Sequence, residues 1–150
     1  MAAFSDFLEG ELLSYMFGLT PFTSTPANTT MYASILAVGL FTADPTDAWN
    51  QHTELNNGTA FAGYDRIDAG TTSANWTLTN NTVDNDADIQ FSTATANWGT
   101  ITHVAIMSLV TGSVTAGTRM LYHGALNTQK SVASGDVFKF AAGDLNIAHE

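Results

Sequence analysis

Residues 89–107, IQFSTATANWGTITHVAIM, and residues 135–148, GDVFKFAAGDLNIA, contain the pattern that decides the fold. Apolar side chains recur about every second position at Ile101, Val104 and Ile106, with one slip. A period of two is typical of a strand with one buried face. Two Gly-Asp pairs each introduce a short apolar run, as a turn before a strand would. This block is therefore predicted to be strand, turn and strand almost throughout.

The remaining sequence fits around this block as one domain. The chain has 150 residues, which is an ordinary size for a single core. Strands are predicted at residues 32–41, 64–69, 76–79, 89–91, 100–108 and 120–125, followed by two short strands after residue 136. Residues 80–88, NNTVDNDAD, are predicted to be a turn or an exposed loop. Strands at about 8–15-residue spacing predict a mainly β, antiparallel β-sandwich or jelly-roll-like fold over residues 19–150.

One helix is predicted at residues 4–17, FSDFLEGELLSYMF, within an N-terminal docking segment of residues 1–18. Its apolar residues follow the i, i+3, i+4 spacing of an amphipathic helix, and Gly18 and Pro21 end it. The helix either covers one end of the sheet or buries a second face on a neighbouring subunit. The residues expected to make that interaction are Phe7, Leu8, Leu12, Leu13, Met16 and Phe17.

The composition excludes several classes of function. Four Lys and Arg stand against fourteen Asp and Glu, a net charge of −10, which disfavours nucleic acids and anionic membranes as partners. There is no cysteine, so disulfides and thiolate metal sites are excluded. No run of about 20 apolar residues is present and the N-terminus lacks a basic region, so neither a membrane span nor a signal peptide is expected. Charged residues make up only 12%, which suits packing against other subunits.

Metal binding and cofactor binding are not predicted. None of the four histidines has metal-ligand spacing, although His103 and His123 fall on strands that could pair. The alternating acids in residues 84–88 resemble the start of a calcium loop. Ile89 and Thr95 stand where that loop needs Gly and Glu. The pattern therefore fails, and a solvated turn is favoured over a loose calcium site.

Catalytic patterns are equally lacking in the sequence. There is no G-x-S-x-G, P-loop or G-x-G-x-x-G motif. Asp44 and Asp47 lie in polar loops without the apolar setting that raises a carboxyl pKa. We therefore expect no enzyme. Trp49, Trp76 and Trp98 are expected to pack in the core or at strand edges, with sugar stacking on a receptor-binding face as the alternative.

A family resemblance is carried by five segments in order along nearly the whole chain. They are FLEGELLSYMFG at 7–18, LFTADPTD at 40–47, GYDR at 63–66, residues 89–107 quoted above, and LYHGALNTQKSVASGDVFKFAAGDLNIA at 121–148. The chain resembles the Gp80-like group of small tail fiber proteins from tailed bacteriophages. The resemblance implies a virion structural protein with a sandwich or jelly-roll-like fold, and it carries over no catalytic residue. Residues 107–118 look longer than the hairpin expected there, so the tip at 111–118 is a candidate for specialisation.

Two structural roles follow from the resemblance. The chain lacks heptads, a Gly-rich stem and repeats, which favours a head decoration (cement) protein that stabilises the capsid as a homotrimer. The alternative is a tail-fibre or receptor-binding accessory protein. An enzyme such as a depolymerase is the third class. The expected partners are further copies of the chain and the major capsid protein or another virion protein, on the particle surface after assembly in the bacterial cytoplasm.

Overall fold

The computed structural model describes residue 17 and residues 35–46, 53–55, 62–109 and 119–148. These ranges contain β-strands and no helix. None of their elements is a helix long and apolar enough to cross a bilayer. The helix predicted at residues 4–17 lies outside them, except for Phe17, which lies in a turn. That helix therefore stays a prediction, as does the role of the tip at residues 111–118.

The described residues form nine strands in three antiparallel sheets. The strands are β1 Ile35–Phe41, β2 Ile67–Asp68, β3 Trp76–Thr79, β4 Thr82–Asn85, β5 Ile89–Gln90, β6 Gly99–Leu109, β7 Arg119–Val132, β8 Lys139–Phe140 and β9 Asn146–Ala148. The sheet orders are β2-β1-β6-β7, β3-β4-β9 and β5-β8. Every strand pair within them is antiparallel. The prediction of a mainly β, antiparallel protein is confirmed.

The central strand β1 is buried on both faces, as its nearly continuous apolar sequence indicates. Leu36, Val38 and Leu40 lie in the main core. Ala37 and Phe41 point to the other face and join a smaller cluster shared with β6. All five side chains are fully buried. Burial on both faces fixes the register of β1, because a one-residue slip would exchange the two sets of side chains.

The main core contains residues from all three sheets and is held by aromatic contacts. Tyr64 stacks on Phe91 with ring centroids 6.0 Å apart. Trp98 meets Tyr64 edge-on at 5.7 Å, and Phe138 meets Phe91 edge-on at 6.0 Å. Such pairs contribute about 0.5–1.5 kcal/mol each beyond their buried area. Sheets packed around one core fit the predicted β-sandwich, while the jelly-roll strand order stays a prediction.

The prediction of a turn or loop at residues 80–88 is wrong in its middle, where β4 pairs with both β3 and β9. The sequence of Thr82–Asn85 did not predict a strand, because a polar residue, asparagine, occupies one of its inward positions. Asn85 is buried, and its Oδ1 accepts a hydrogen bond of 2.8 Å from the Leu145 N–H. Its Nδ2 donates to the carbonyls of Ala87 and Ala141. A buried amide with its hydrogen bonds satisfied is tolerated where an apolar residue would be expected.

The edge strand β7 is longer than predicted because it contains a bulge. Ile101 of β6 pairs with Lys130, whereas His103 pairs with Ala125. Residues 126–129 therefore stand opposite Thr102 alone. An insertion of this kind bends the strand and increases its local twist. The strand continues through Val132, where a turn had been predicted from residue 131.

Candidate interaction surface

A groove of about 420 Å³ is lined by β6, β7, β8, β9 and the residues before β9. Its volume lies in the range of about 300–1,000 Å³ that is typical of ligand sites. Its apolar lining includes Val104, Ile106, Leu126, Phe140 and Ile147, and its polar lining includes Tyr122, His123, Asn127, Asp144 and Asn146. The groove lies along the same strand, β7, that forms one edge of the four-stranded sheet. This side of the molecule is therefore the candidate interaction surface.

Tyr122 connects the groove to the N-terminal part of the chain. Its ring centroid lies 6.2 Å from that of Phe17, and Phe17 packs edge-on against Trp76 at 4.7 Å. Phe17 is completely buried, so its side chain is part of the core of its own chain. The other five residues predicted to make a subunit contact, in the segment 7–16, lie outside the described residues, and their role stays a prediction.

Burial raises the pKa of Tyr122 to about 12. The neutral phenol is therefore favoured in the folded state over the unfolded state, where a tyrosine pKa is about 10. The stability that this group contributes is fully present below about pH 10 and is lost as the pH rises towards 12. We expect the urea midpoint to fall between pH 10 and pH 12, and Tyr122→Phe to make that fall smaller. A fall of equal size in the variant would contradict this assignment.

The histidines do not form a metal site within the described residues. His103 lies opposite Ala125 and His123 lies opposite Ala105, so the two imidazoles are on adjacent strands in diagonal positions. Oδ1 of Asp44 lies 3.4 Å from Nδ1 of His123. No group of three or more His, Cys, Asp or Glu side chains in the described ranges is placed to hold a metal ion.

The acidic residues of the segment 84–88 are used separately. Each accepts a hydrogen bond from a different side chain: Asp84 from Asn146 at 2.6 Å, Asp86 from Thr77 at 2.8 Å, and Asp88 from Lys139 at 2.7 Å. The Lys139 hydrogen bond lowers the pKa of the Asp88 carboxyl below its ordinary value. The three carboxylates thus stabilise strand pairs and a loop, and Asp84 lies on β4 and not in a turn.

Two of the three tryptophans have no exposed ring to offer a sugar. Trp76 and Trp98 are buried, at 1% and 5% exposure. Their indole N–H groups donate to the carbonyls of Gly70 and Ala62, at 2.9 and 3.0 Å. Both therefore pack in the core, which is the first of the two predicted roles. Trp49 lies outside the described residues.

A buried ion pair holds the loop residue Glu54 against the sheet. Arg66 donates through Nε to Oε1 and through Nη2 to Oε2 of Glu54, at 2.7 and 2.6 Å. The Tyr64 hydroxyl also donates to Oε1, at 2.8 Å, and accepts from the Leu40 N–H of β1. The side chains of Arg66 and Glu54 are 3% and 0% exposed. Burial first, and then the Glu54 charge, raises the pKa of Tyr64 well above 10.0.

This ion pair was not predicted from the sequence, although Arg66 and its neighbour Tyr64 lie in GYDR, a segment that carries the family resemblance. The signal available in the sequence was the scarcity of basic residues, of which the chain has four. A basic residue is rarely buried without a partner, so a buried arginine implies an acidic side chain beside it. The bidentate geometry is the strong form of the contact between arginine and a carboxylate. The pair helps to hold Glu54 beside β1, where Glu54 also forms a backbone bridge with Phe41.

Comparison with known families gives one match. A family model described as podophage GP4 fiber I protein gp80 matches residues 3–148. The matched range includes all five segments on which the resemblance was based. No curated protein matches the chain.

Proposed function

The chain belongs to the Gp80 family, whose description is that of a podophage fibre protein and hence of a phage virion structural protein, and we propose that it acts as an accessory structural protein of the tail fibres. The observation that supports this role is the match over residues 3–148, which leaves almost no part of the chain outside the family. The fold is suited to such a role because it offers a long strand edge beside a groove.

The tail role replaces head decoration as the leading interpretation. Small size, low charge and the absence of repeats suit any protein that is buried among other virion subunits, on a head or on a tail. The family description names a fibre and therefore favours the tail. Self-association and contact with another virion protein remain part of the proposal, since a short β-domain reaches a host only as part of a larger assembly.

The copy number per particle tests the tail role. Quantitative mass spectrometry of purified virions, with isotope-labelled peptides of this chain and of the major capsid protein, gives the ratio of the two. We expect a ratio far below one, set by the symmetry of the tail. A ratio of about one copy per capsid subunit, or one per capsomer, would support head decoration and contradict the tail role.

The proposed role is non-enzymatic. Purified protein incubated with host surface glycan is expected to leave the glycan chain length unchanged, as measured by size-exclusion chromatography. A known glycan hydrolase serves as the positive control. Progressive shortening by the purified protein would contradict a purely structural role.

A further inference from the structure

The groove is lined by the outer strands of two sheets. β7 is the last strand of the four-stranded sheet and β9 is the last strand of the three-stranded sheet, and residues of both line the groove. Its lining includes Ile106 and Ile147, which are buried, and Val104 and Leu126, which are half-buried and pack against the main core. A further apolar segment placed here would therefore extend the main core.

Gly124 leaves space on the face of β7 that lines the groove. It pairs with Val104 of β6 and follows Tyr122 by two positions. Side chains at paired positions and at alternate positions share one face of a sheet, so a side chain at position 124 would point to the groove. A Cβ built on Gly124 meets no described atom within 4 Å. Glycine inside a strand often marks a place where another segment approaches closely.

The N-terminal part of the same chain reaches the groove at Phe17. The Phe17 ring is completely buried, with its centroid 4.7 Å from that of Trp76 and 6.2 Å from that of Tyr122. Tyr122 is itself part of the groove lining. Residues 4–16 therefore join the described structure beside the groove. Their apolar side chains include Phe7, Leu8, Leu12, Leu13 and Met16.

The spacing of the N-terminal segment matches the spacing along β7. In the helix predicted at residues 4–17, Leu13 and Phe17 are four positions apart, so they lie on one side of the helix at a rise of about 6 Å. Gly124 is two positions from Tyr122, which is about 7 Å along a strand. A helix that runs back from Phe17 along β7 therefore places Leu13 over Gly124.

We propose that residues 4–16 dock in the groove of their own chain, with Leu13 in the space at Gly124. The inference goes beyond the proposed function, and it assigns the segment to its own chain rather than to a neighbouring subunit. Attachment through the buried Phe17 holds the segment at a high effective concentration, which favours the groove of the same copy over that of another. A neighbouring virion protein on this side then meets the docked segment and not the groove.

Cross-linking in the full-length chain tests the docking, because the chain has no cysteine of its own. Leu13→Cys combined with Gly124→Cys is treated with a short bismaleimide, and mass spectrometry detects the cross-linked peptides. The matched control combines Leu13→Cys with Ala125→Cys, because Ala125 is the next residue on β7 and its side chain is on the opposite face. Circular dichroism confirms that both variants are folded. We expect a link within one chain that forms about tenfold faster with Gly124→Cys than with the control.

Two outcomes of the cross-linking would overturn the proposal. Equal rates in the two variants would show that the segment does not lie over the groove face of β7. A link between two chains in dilute solution, in place of a link within one chain, would show that the segment docks on another copy.

Filling the space at Gly124 gives a test that does not use cross-linking. Gly124→Leu is expected to displace the segment, so that chymotrypsin cleaves the native full-length chain within residues 4–16 about tenfold faster. Ala125→Leu is the control, since it adds the same side chain to the opposite face of β7, and we expect its cleavage rate to equal that of the wild type. The melting temperature of each variant reports whether the fold is retained. Equal cleavage rates in the two folded variants would contradict docking at Gly124.

The outcome is separable from that of the proposed function. A chain found at the tail whose segment does not cross-link to Gly124→Cys would overturn the docking and leave the tail role standing. A docked segment in a chain present at capsid stoichiometry would do the reverse.

Discussion

Replacing Glu54 with glutamine is expected to lower the free energy of unfolding by about 3–5 kcal/mol. The substitution keeps the size of the side chain but leaves the Arg66 guanidinium buried, at 3% exposure, without its counter-charge. The Tyr64 hydroxyl also loses a charged acceptor at 2.8 Å. Urea unfolding followed by tryptophan fluorescence measures the change. An effect of this size would be a large part of the stability of a typical domain, which is about 5–15 kcal/mol.

The control for the buried pair is an exposed one. Asp88→Asn removes the carboxylate that contacts Lys139 on the surface, and we expect the urea midpoint to stay nearly unchanged. The double variant Glu54→Gln/Arg66→Met is expected to recover part of the loss, because no unpaired charge remains in the core. Equal losses in Glu54→Gln and Asp88→Asn would contradict a special role for the buried pair.

Replacing Trp76 with alanine is expected to cost about 3–5 kcal/mol of unfolding free energy. The indole is 1% exposed, and its N–H donates to the Gly70 carbonyl. Its ring also packs against Phe17 at 4.7 Å, so the substitution opens a cavity where the N-terminal part of the chain meets the core. Chemical unfolding followed by far-ultraviolet circular dichroism measures the loss.

A double-mutant cycle separates this contact from general packing. Trp76→Phe serves as the conservative variant, with a smaller loss expected because most of the ring volume is kept. Phe17→Ala and Trp76→Ala are expected to be non-additive, because the two rings share one site. Additive losses, or a cost of about 1 kcal/mol or less for Trp76→Ala, would show that the contact contributes little to the fold.

Strands could be predicted where a local pattern was strong. The continuous apolar run gave the buried strand β1, and the apolar, β-branched residues after Gly99 gave β6. The prediction of a loop at residues 80–88 failed in its middle because Asn85 takes an inward position. The burial of Asn85 depends on a hydrogen bond from Leu145, which is 60 residues away. The length of β7 was predicted too short because a bulge disrupts the period of two. Both failures come from partners that are distant in the sequence.

The interaction surface was less accessible to sequence reasoning. Helical periodicity directed attention to the segment 4–17, yet its one described residue, Phe17, packs inside the chain. The ion pair of Glu54 and Arg66 joins residues 12 apart on different segments, and no local rule pairs them. Low charge could not distinguish a head protein from a tail protein, because either one buries much of its surface.

The position of the protein on intact particles tests the central claim most directly. Gold-conjugated antibodies against the purified chain, applied to whole virions and viewed by negative-stain electron microscopy, report where it lies. Particles from a phage lacking the corresponding coding region provide the control for non-specific label. We predict label confined to the fibres at the tail end. Label spread evenly over the head, with bare tails, would contradict the assignment to the tail fibres.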